Sequence, residues 1–237
     1  MEALRTGYTE VWCAGQNVPL ARFADSTQSI VASGLNRVGL LPAEEVMERL
    51  HGFDSIISWY GTNNPEFRDL IEKLCLPFRF LPSLPSGSQH AVDFYISQAC
   101  EQGADPQSRF PEIQCPAADR TFAVIHPFAS SPVKRAPMAL FEEIARRLSA
   151  KMPVNWLCGP EEELEGAVRI DDLYELACWL SQARVFVGND SGISHLAAAV
   201  RTPVQAFFRT TDARIWAPRG PSINTVQLEA RMLLKFG

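Results

Sequence analysis

The chain has 237 residues, 46% hydrophobic and 21% charged, a balance typical of a globular protein with a core. Its net charge of -5 argues against a general nucleic-acid binder, which carries a basic excess, but leaves room for a local basic site that holds a phosphate. Length alone admits one large domain or two small ones.

The N-terminus, Met1-Glu2-Ala3-Leu4-Arg5, is followed by no apolar core segment, so no signal peptide is expected. No apolar run is long enough to span a bilayer. Val11–Ala14 reads as a short strand ending at Gly15. Ala43–His51 reads as a helix, with Val46, Met47 and Leu50 at helical spacing. Phe53–Trp59 is a buried strand stopped by Gly61-Thr62-Asn63-Asn64. Pro65 then opens a helix that runs to Leu74, because proline suits a first turn. Phe78–Leu81 is a short strand, Pro82–Gly87 a loop, and His90–Gln102 a helix with Val92, Tyr95, Ile96 and Ala99 on one face. Between Gly103 and Arg120, Pro106, Pro111 and Pro116 interrupt any period, which marks a linker. We expect two domains, residues 1–118 and 119–237.

The second half alternates regularly. Strands are predicted at Thr121–Ile125, Val154–Cys158, Val185–Val187 and Val204–Phe208. Helices are predicted at Pro137–Ser149, Leu173–Ser181 and Ile193–Val200. Strands alternating with helices imply a parallel, doubly wound α/β sheet. Six cysteines (Cys13, Cys75, Cys100, Cys115, Cys158, Cys178) stand far apart with no C-x-x-C pair, which argues against a zinc site and suits reduced thiols.

Four polar segments follow these strands. In VFVGNDSGISH (Val185–His195) an apolar strand runs into small residues and then directly into a helix, where exposed N–H groups and the helix dipole favour an anion. Gly192 permits close backbone approach, and Asp190 can accept hydrogen bonds from sugar hydroxyls. Asn189, Asp190 and Ser191 are equally good helix caps. HPFASSPVK (His126–Lys134) offers the hydroxyls of Ser130 and Ser131 and the charges of Lys134 and Arg135, which suit a phosphate or act as solvated helix-entry residues. Gly159-Pro160-Glu161-Glu162-Glu163 offers carboxylates that suit a ribose or simply enrich the first turn of a helix in acid. FRTTDARIWAP (Phe208–Pro218) is a polar loop after the last apolar strand, and its Thr210 and Thr211 suit phosphate. His195 reads as structural support for the Asp190 loop. His51, His90 and His126 are too scattered for a relay.

Together these segments resemble glycosyltransferase family 9, the ADP-heptose:lipopolysaccharide heptosyltransferases. The C-terminal half of that family runs strand, D-[ST]-G-x-x-H-x-x-A-A, T-P, loop, W-x-P. Here stand DSGISHLAAA (Asp190–Ala199), Thr202-Pro203 and Trp216-Ala217-Pro218, after a serine-rich segment ending in Lys134 and a Gly-Pro-Glu-Glu turn at Gly159–Glu162. The Leu173–Leu180 helix and His90-Ala91-Val92-Asp93 also resemble family segments. The likeness is specific over Phe122–Pro218 and diffuse before it.

The resemblance implies a GT-B-like α/β fold of two Rossmann-like doubly wound lobes with the active site between them. Residues 1–118 would be the acceptor-side lobe and 119–237 the nucleotide-sugar lobe. It implies transfer of a sugar from a nucleotide-diphosphate sugar such as ADP-heptose to a lipopolysaccharide-type acceptor, inverting the anomeric centre and using neither cofactor nor required metal. Lys134 would contact the diphosphate, Ser191 and Gly192 a phosphate, Asp190 the sugar, Glu161 or Glu162 the ribose, and Asp171 the adenine region. Ser130, Ser131, His195, Arg209 and Thr210 complete the expected donor site. The resemblance is compatible with a cytoplasmic protein that can contact the inner membrane peripherally and can form a homodimer, and the net charge leaves no nucleic-acid partner expected.

Two departures stand out. Relatives begin with a strand and a G-D loop before a helix ending in A-L-R, whereas this sequence opens inside that helix, at Ala3-Leu4-Arg5. We therefore expect an incomplete N-terminal lobe and assign no catalytic base. A non-catalytic homologue that binds a nucleotide sugar or a partner is the alternative reading. Arg209 stands where relatives carry glycine in an F-G-P-T loop.

Overall fold

The computed structural model describes residues 1–38 and 44–229. They fall into two units, Met1–Gly87 with Phe94–Pro106, and Ser88–Asp93 with Gln107–Gly237. The second unit thus takes in the 107–118 stretch that the sequence reading assigned to the first, together with a short segment around His90.

The first unit contains β1 (Glu10–Cys13), β2 (Ser26–Ser29), α1 (Ile30–Ser33), α2 (Glu44–His51), β3 (Ile56–Ser58), α3 (Pro65–Lys73), β4 (Phe78–Phe80) and most of α4 (Ala91–Glu101). Its described strands form two parallel pairs, β1 with β2 and β3 with β4. Leu35, Val38, Leu50, Ile71 and Leu76 form the core, with Trp12, Val46, Phe67, Phe78 and Phe80 packed against them. Pro65 does open α3, capped by the Asn64 side chain, which accepts from Phe67 N at 3.1 Å. Ala43, the first residue of the helix predicted over Ala43–His51, lies outside the described residues. β2 was not anticipated, because Ser-Thr-Gln-Ser carries no apolar signal.

The second unit holds one five-stranded parallel sheet. Its elements are β5 (Phe122–His126), α5 (Met138–Ser149), β6 (Val154–Trp156), α6 (Leu173–Ser181), β7 (Ala183–Asn189), α7 (Gly192–Ala199), β8 (Val204–Phe208), α8 (Ala213–Trp216) and β9 (Ile223–Gln227). The order is β6-β5-β7-β8-β9. One further strand, β9, thus follows Val204–Phe208, the last apolar strand. β9 pairs along its whole length with β8, but its Ile-Asn-Thr-Val-Gln sequence is too polar to read as buried because it occupies a sheet edge. The central strands are covered on both faces, which is why Ala123, Val124 and Ile125 form an unbroken apolar run with no exposed surface. On one face Phe141 of α5 meets Phe207 of β8 edge-to-face at 5.7 Å, beside Ile125 and Val187. Elsewhere in the unit Trp179 of α6 stacks on Phe122 of β5 at 5.1 Å, and the buried Thr202 hydroxyl donates to Leu180 O at 2.7 Å.

Candidate functional site

The winding of the second sheet reverses between β5 and β7. From β5 the chain passes through α5 outward to β6, then returns through α6 to β7 on the opposite side of β5 and continues to β8 and β9. Loops leaving two such neighbouring strands depart in opposite directions, so a crevice opens at their carboxyl ends. His126 and Gly188 are register partners at that point.

Asn189, the last residue of β7, is fully buried and grips the loop after β5 at both ends. Its Nδ2 donates to Pro127 O at 2.7 Å, and its Oδ1 accepts from Ala136 N at 2.8 Å. Between these anchors lies a short 3-10 turn, Pro132–Lys134. The Arg135 guanidinium closes the same loop with two bonds to Ala129 O, at 3.0 and 2.9 Å, and covers the Phe128 ring. Asn189 therefore acts through its side chain on a distant loop and does not cap α7.

The next residue, Asp190, points its carboxylate into this arrangement. Oδ2 pairs with Lys134 Nζ at 2.8 Å and accepts from the Thr211 hydroxyl at 2.6 Å. Asp190 is 7% exposed and Lys134 29%, so Lys134 is not the solvated helix-entry residue that its sequence context also allowed. Three loops, after β5, β7 and β8, thus meet at one carboxylate. Ser191 occupies the N-cap of α7, yet its side chain makes no capping bond. Gly192 is exposed, and a Cβ there would meet open space. Ser194 N donates to Ser191 O at 3.1 Å, and the N–H groups that open the first turn of α7 lie at the positive end of the helix dipole.

His195, one turn in, hydrogen-bonds the Trp216 carbonyl of the loop after β8 and so supports that loop rather than the Asp190 loop directly. Burial pushes its imidazole below the ordinary histidine value. The Asp190 carboxylate opposes this, the His90 charge adds to it, the Trp216 bond opposes it and the Lys134 charge adds to it. His90 grips the adjoining carbonyl, with Nε2 3.0 Å from Ala217 O, while its Nδ1 accepts from Val92 N at 3.1 Å. Two histidines therefore hold consecutive carbonyls of the Trp-Ala-Pro segment, a role that the scattered spacing of histidines in the sequence concealed.

Glu162 stands with His126, not with Lys134. Its Oε2 lies 3.1 Å from His126 Nε2 and accepts from Gly159 N at 2.6 Å. Burial raises this carboxyl, but the His126 and Gly159 hydrogen bonds and the charges of His126 and Arg135 outweigh it and hold the group below its ordinary value. No helix begins at Glu161–Glu163, so first-turn enrichment does not explain that acidic run; Arg169 instead pins the turn through Gly159 O, Pro160 O and Glu162 O. Glu161 and Asp171 are exposed, and it is Asp172 that caps α6 through Tyr174 N and Glu175 N. Ser130 and Thr210 are exposed, Ser131 precedes the 3-10 turn, and the exposed Arg209 donates to Arg135 O at 3.1 Å. The structure brings together Lys134, Asp190, Ser191, Gly192 and His195. Among the described residues, no hydrogen bond or ion pair ties Glu161, Glu162 or Asp171 to that group. Thr211 takes the bond to Asp190, while its neighbour Thr210 faces solvent. Among the described residues, no cluster of three His, Cys, Asp or Glu side chains is set to hold a metal.

The sequence profile of glycosyltransferase family 9 (heptosyltransferase) matches residues 87–236. Lipopolysaccharide heptosyltransferase 3 of Escherichia coli (strain K12) is 37% identical over 81 residues, which is 34% of this chain and 20% of that protein. A solved glycosyl transferase family 9 structure from Veillonella parvula DSM 2008 superposes with a TM-score of 0.70 at 17% identity, over 92% of this chain and 76% of its own. E. coli ADP-heptose lps heptosyltransferase II gives 0.66 at 16% identity, over 94% and 82%. E. coli heptosyltransferase WaaC, solved with ADP, gives 0.66 at 15% identity, over 94% and 84%. At such identities the solved structures establish a shared α/β, GT-B-like fold.

Proposed function

Because this chain belongs to glycosyltransferase family 9, the heptosyltransferases, we propose that its second unit binds a nucleotide-diphosphate sugar of the ADP-heptose type and that the protein transfers the sugar to a lipopolysaccharide-type acceptor. The observation that carries this reading is the Lys134–Asp190 pair at the sheet's switch point, beside the open amino end of α7. That is where an open α/β sheet places an anionic ligand.

In the proposed reaction the acceptor oxygen bonds to the anomeric carbon as the bond to the diphosphate breaks, inverting that centre and releasing the acceptor proton. Negative charge grows on the leaving diphosphate, and preorganised donors aimed at it lower the barrier. Lys134 carries three N–H donors, so it can hold Asp190 and a phosphate oxygen together. The N–H groups at Ser191 and Gly192, at the positive end of the α7 dipole, contribute a second set of donors. Asp190, fixed through Oδ2, orients its sugar through the other oxygen. Ser130, Ser131, Thr210 and Arg209 border the diphosphate, Glu161 or Glu162 takes the ribose, and Asp171 lies toward the adenine. This reading places the chain in the cytoplasm, in peripheral contact with the membrane that carries the acceptor.

Calorimetry with ADP-, UDP-, GDP- and CDP-sugars tests the donor, with ADP-heptose expected to bind tightest. A transfer assay with a heptose-deficient lipopolysaccharide acceptor tests the reaction. Absence of ADP-heptose binding would sink the proposal.

A further inference from the structure

Two half-buried thiols of the second unit touch. Cys115 lies in the stretch before β5 and Cys178 in α6, and a hydrogen bond joins their side chains. The chain around them accounts for the approach. Tyr174 and Cys178 stand four residues apart on one face of α6. The Tyr174 hydroxyl donates to Gln114 O at 3.0 Å, which brings the next residue, Cys115, to the turn that carries Cys178. Ile113 N donates to Ala199 O at 2.9 Å, and Glu112 pairs with Arg201 at 2.6 Å. The stretch from Glu112 to Cys115 is thus tied to α6 and to the end of α7. The Tyr174 bond and the Glu112–Arg201 pair are exposed, and an exposed ion pair contributes little. No step of the proposed transfer uses either thiol.

The reactivity of the pair is ordered. Burial raises the Cys115 thiol first, and the hydrogen bond with Cys178 and the charge of that group take it further, to about 12. Cys115 therefore keeps its proton while Cys178 is free, and Cys178 is the sulfur that reacts first. Reaction at Cys178 removes both of its contributions. Cys115 then becomes the better nucleophile just when an electrophilic sulfur stands beside it.

We propose that Cys115 and Cys178 form a redox-modifiable site that takes a low-molecular-weight disulfide of the glutathione class and closes to an intramolecular disulfide, fastening the Glu112–Cys115 stretch to α6. The inference does not depend on the sugar-transfer reading. First the Cys178 thiolate attacks one sulfur of the small disulfide. That S–S bond breaks, a mixed disulfide forms on Cys178, and one small thiol leaves with the proton that Cys178 gave up. The Cys115 thiolate then attacks the Cys178 sulfur, the mixed S–S bond breaks, and a second small thiol leaves with the Cys115 proton. The protein dithiol is oxidised and the small disulfide is reduced to two thiols. The crosslink closes a loop through β5, α5 and β6, and a disulfide restrains the unfolded chain more strongly the longer the loop it closes.

The test is equilibration of the full chain in glutathione buffers of increasing oxidised fraction, followed by acid quench, blocking with N-ethylmaleimide and peptide mass spectrometry. A Cys115–Cys178 crosslinked peptide is expected to accumulate in the native protein and to disappear on return to reduced glutathione. The crosslinked protein is expected to unfold at a urea concentration roughly 1 M higher than the reduced protein. Cys115→Ser and Cys178→Ser should each abolish that shift. In reduced Cys178→Ala, Cys115 should react with iodoacetamide several-fold faster than in wild type, because the hydrogen bond and the charge are gone. Native protein that carries only separate glutathione adducts, or that crosslinks these two cysteines only in urea, overturns the inference. So does a crosslink that leaves the urea midpoint unmoved, or Cys115 reactivity unchanged in Cys178→Ala. The comparison of oxidised with reduced wild type decides the matter even if a variant fails to fold.

Discussion

Lys134 Nζ lies 2.8 Å from Asp190 Oδ2, which joins the loop after β5 to the loop after β7 at the point where the sheet reverses its winding. Asp190 is nearly buried, so its charge depends on this cation and on the Thr211 hydroxyl for compensation. Lys134→Ala should weaken ADP binding by about 1.5–3 kcal/mol, the range for a hydrogen bond to a charged group. It should also lower the urea midpoint, and a Lys134→Ala/Asp190→Asn double variant should recover part of that loss. Unchanged ADP affinity by calorimetry would remove Lys134 from the site.

Two glycines four residues apart should separate fold from function. A Cβ on Gly188 would sit 2.7 Å from Phe186 Cε1 and 3.1 Å from the His126 carbonyl, in the middle of the sheet. Gly188→Ala should therefore destabilise the second unit by about 1–3 kcal/mol, the cost of overpacking a filled core. Gly192→Ala meets open space and should leave stability within about 0.5 kcal/mol. The added methyl then stands where the proposed phosphate approaches, and it should weaken ADP binding by about 1 kcal/mol or more. Denaturation and calorimetry on both variants decide the matter; equal ADP affinity for Gly192→Ala and wild type would count against the α7 site.

Stability should fall on mild acidification. Burial lowers the pKa of His195 and of His90, the latter also through the charge of Arg219 and against the pull of the Ala217 carbonyl and Asp93. A histidine whose folded value lies below its unfolded one binds fewer protons when folded, so stability rises with pH through that interval. Their contribution is fully present above about pH 6.5, the ordinary histidine value, and is lost as pH drops below it. Urea midpoints at pH 7.5 and 5.5 should show this decline, and His195→Gln should flatten it. A midpoint independent of pH in wild type would contradict the histidine account.

The cysteines should not react alike. Burial pushes the Cys115 thiol up, and a hydrogen bond with Cys178 together with that group's charge takes it to about 12. Cys75 and Cys100 are exposed. At pH 8 iodoacetamide should modify Cys75 and Cys100 first, with Cys115 at least about ten-fold slower, since the thiolate is the nucleophile. Peptide mass spectrometry over time gives the order, and early labelling of Cys115 would refute it.

Elements that carry their own period were legible in the sequence. Leu173–Ser181 and Val204–Phe208 stand where the alternation put them, because both bury apolar side chains that the pattern exposes. β2 and β9 were not legible, since short polar strands exist through their neighbours and not through their own composition. The same holds at the site. The Asp190-Ser191-Gly192 turn is local and readable. The hold of Asn189 on Ala136 spans 53 positions, and the pairing of His126 with Glu162 spans 36. Such contacts follow from which strand lies beside which. Thr211 and Thr210 look identical in sequence, and only the path of the loop separates the one that reaches Asp190 from the one that faces water.

The hold of Asn189 on the loop after β5 bears on how fast and how cheaply a ligand is captured. A floppy phosphate loop must be immobilised at the moment of encounter, at roughly 0.5–1.5 kcal/mol per ordered side chain. Here both ends of that loop are tied to the terminus of a central strand, so its ordering entropy is lost during folding. On the donor reading proposed above, an incoming diphosphate would meet a loop already ordered. On that reading, a side chain buried at the end of a central strand thereby bears on the association rate without touching the ligand.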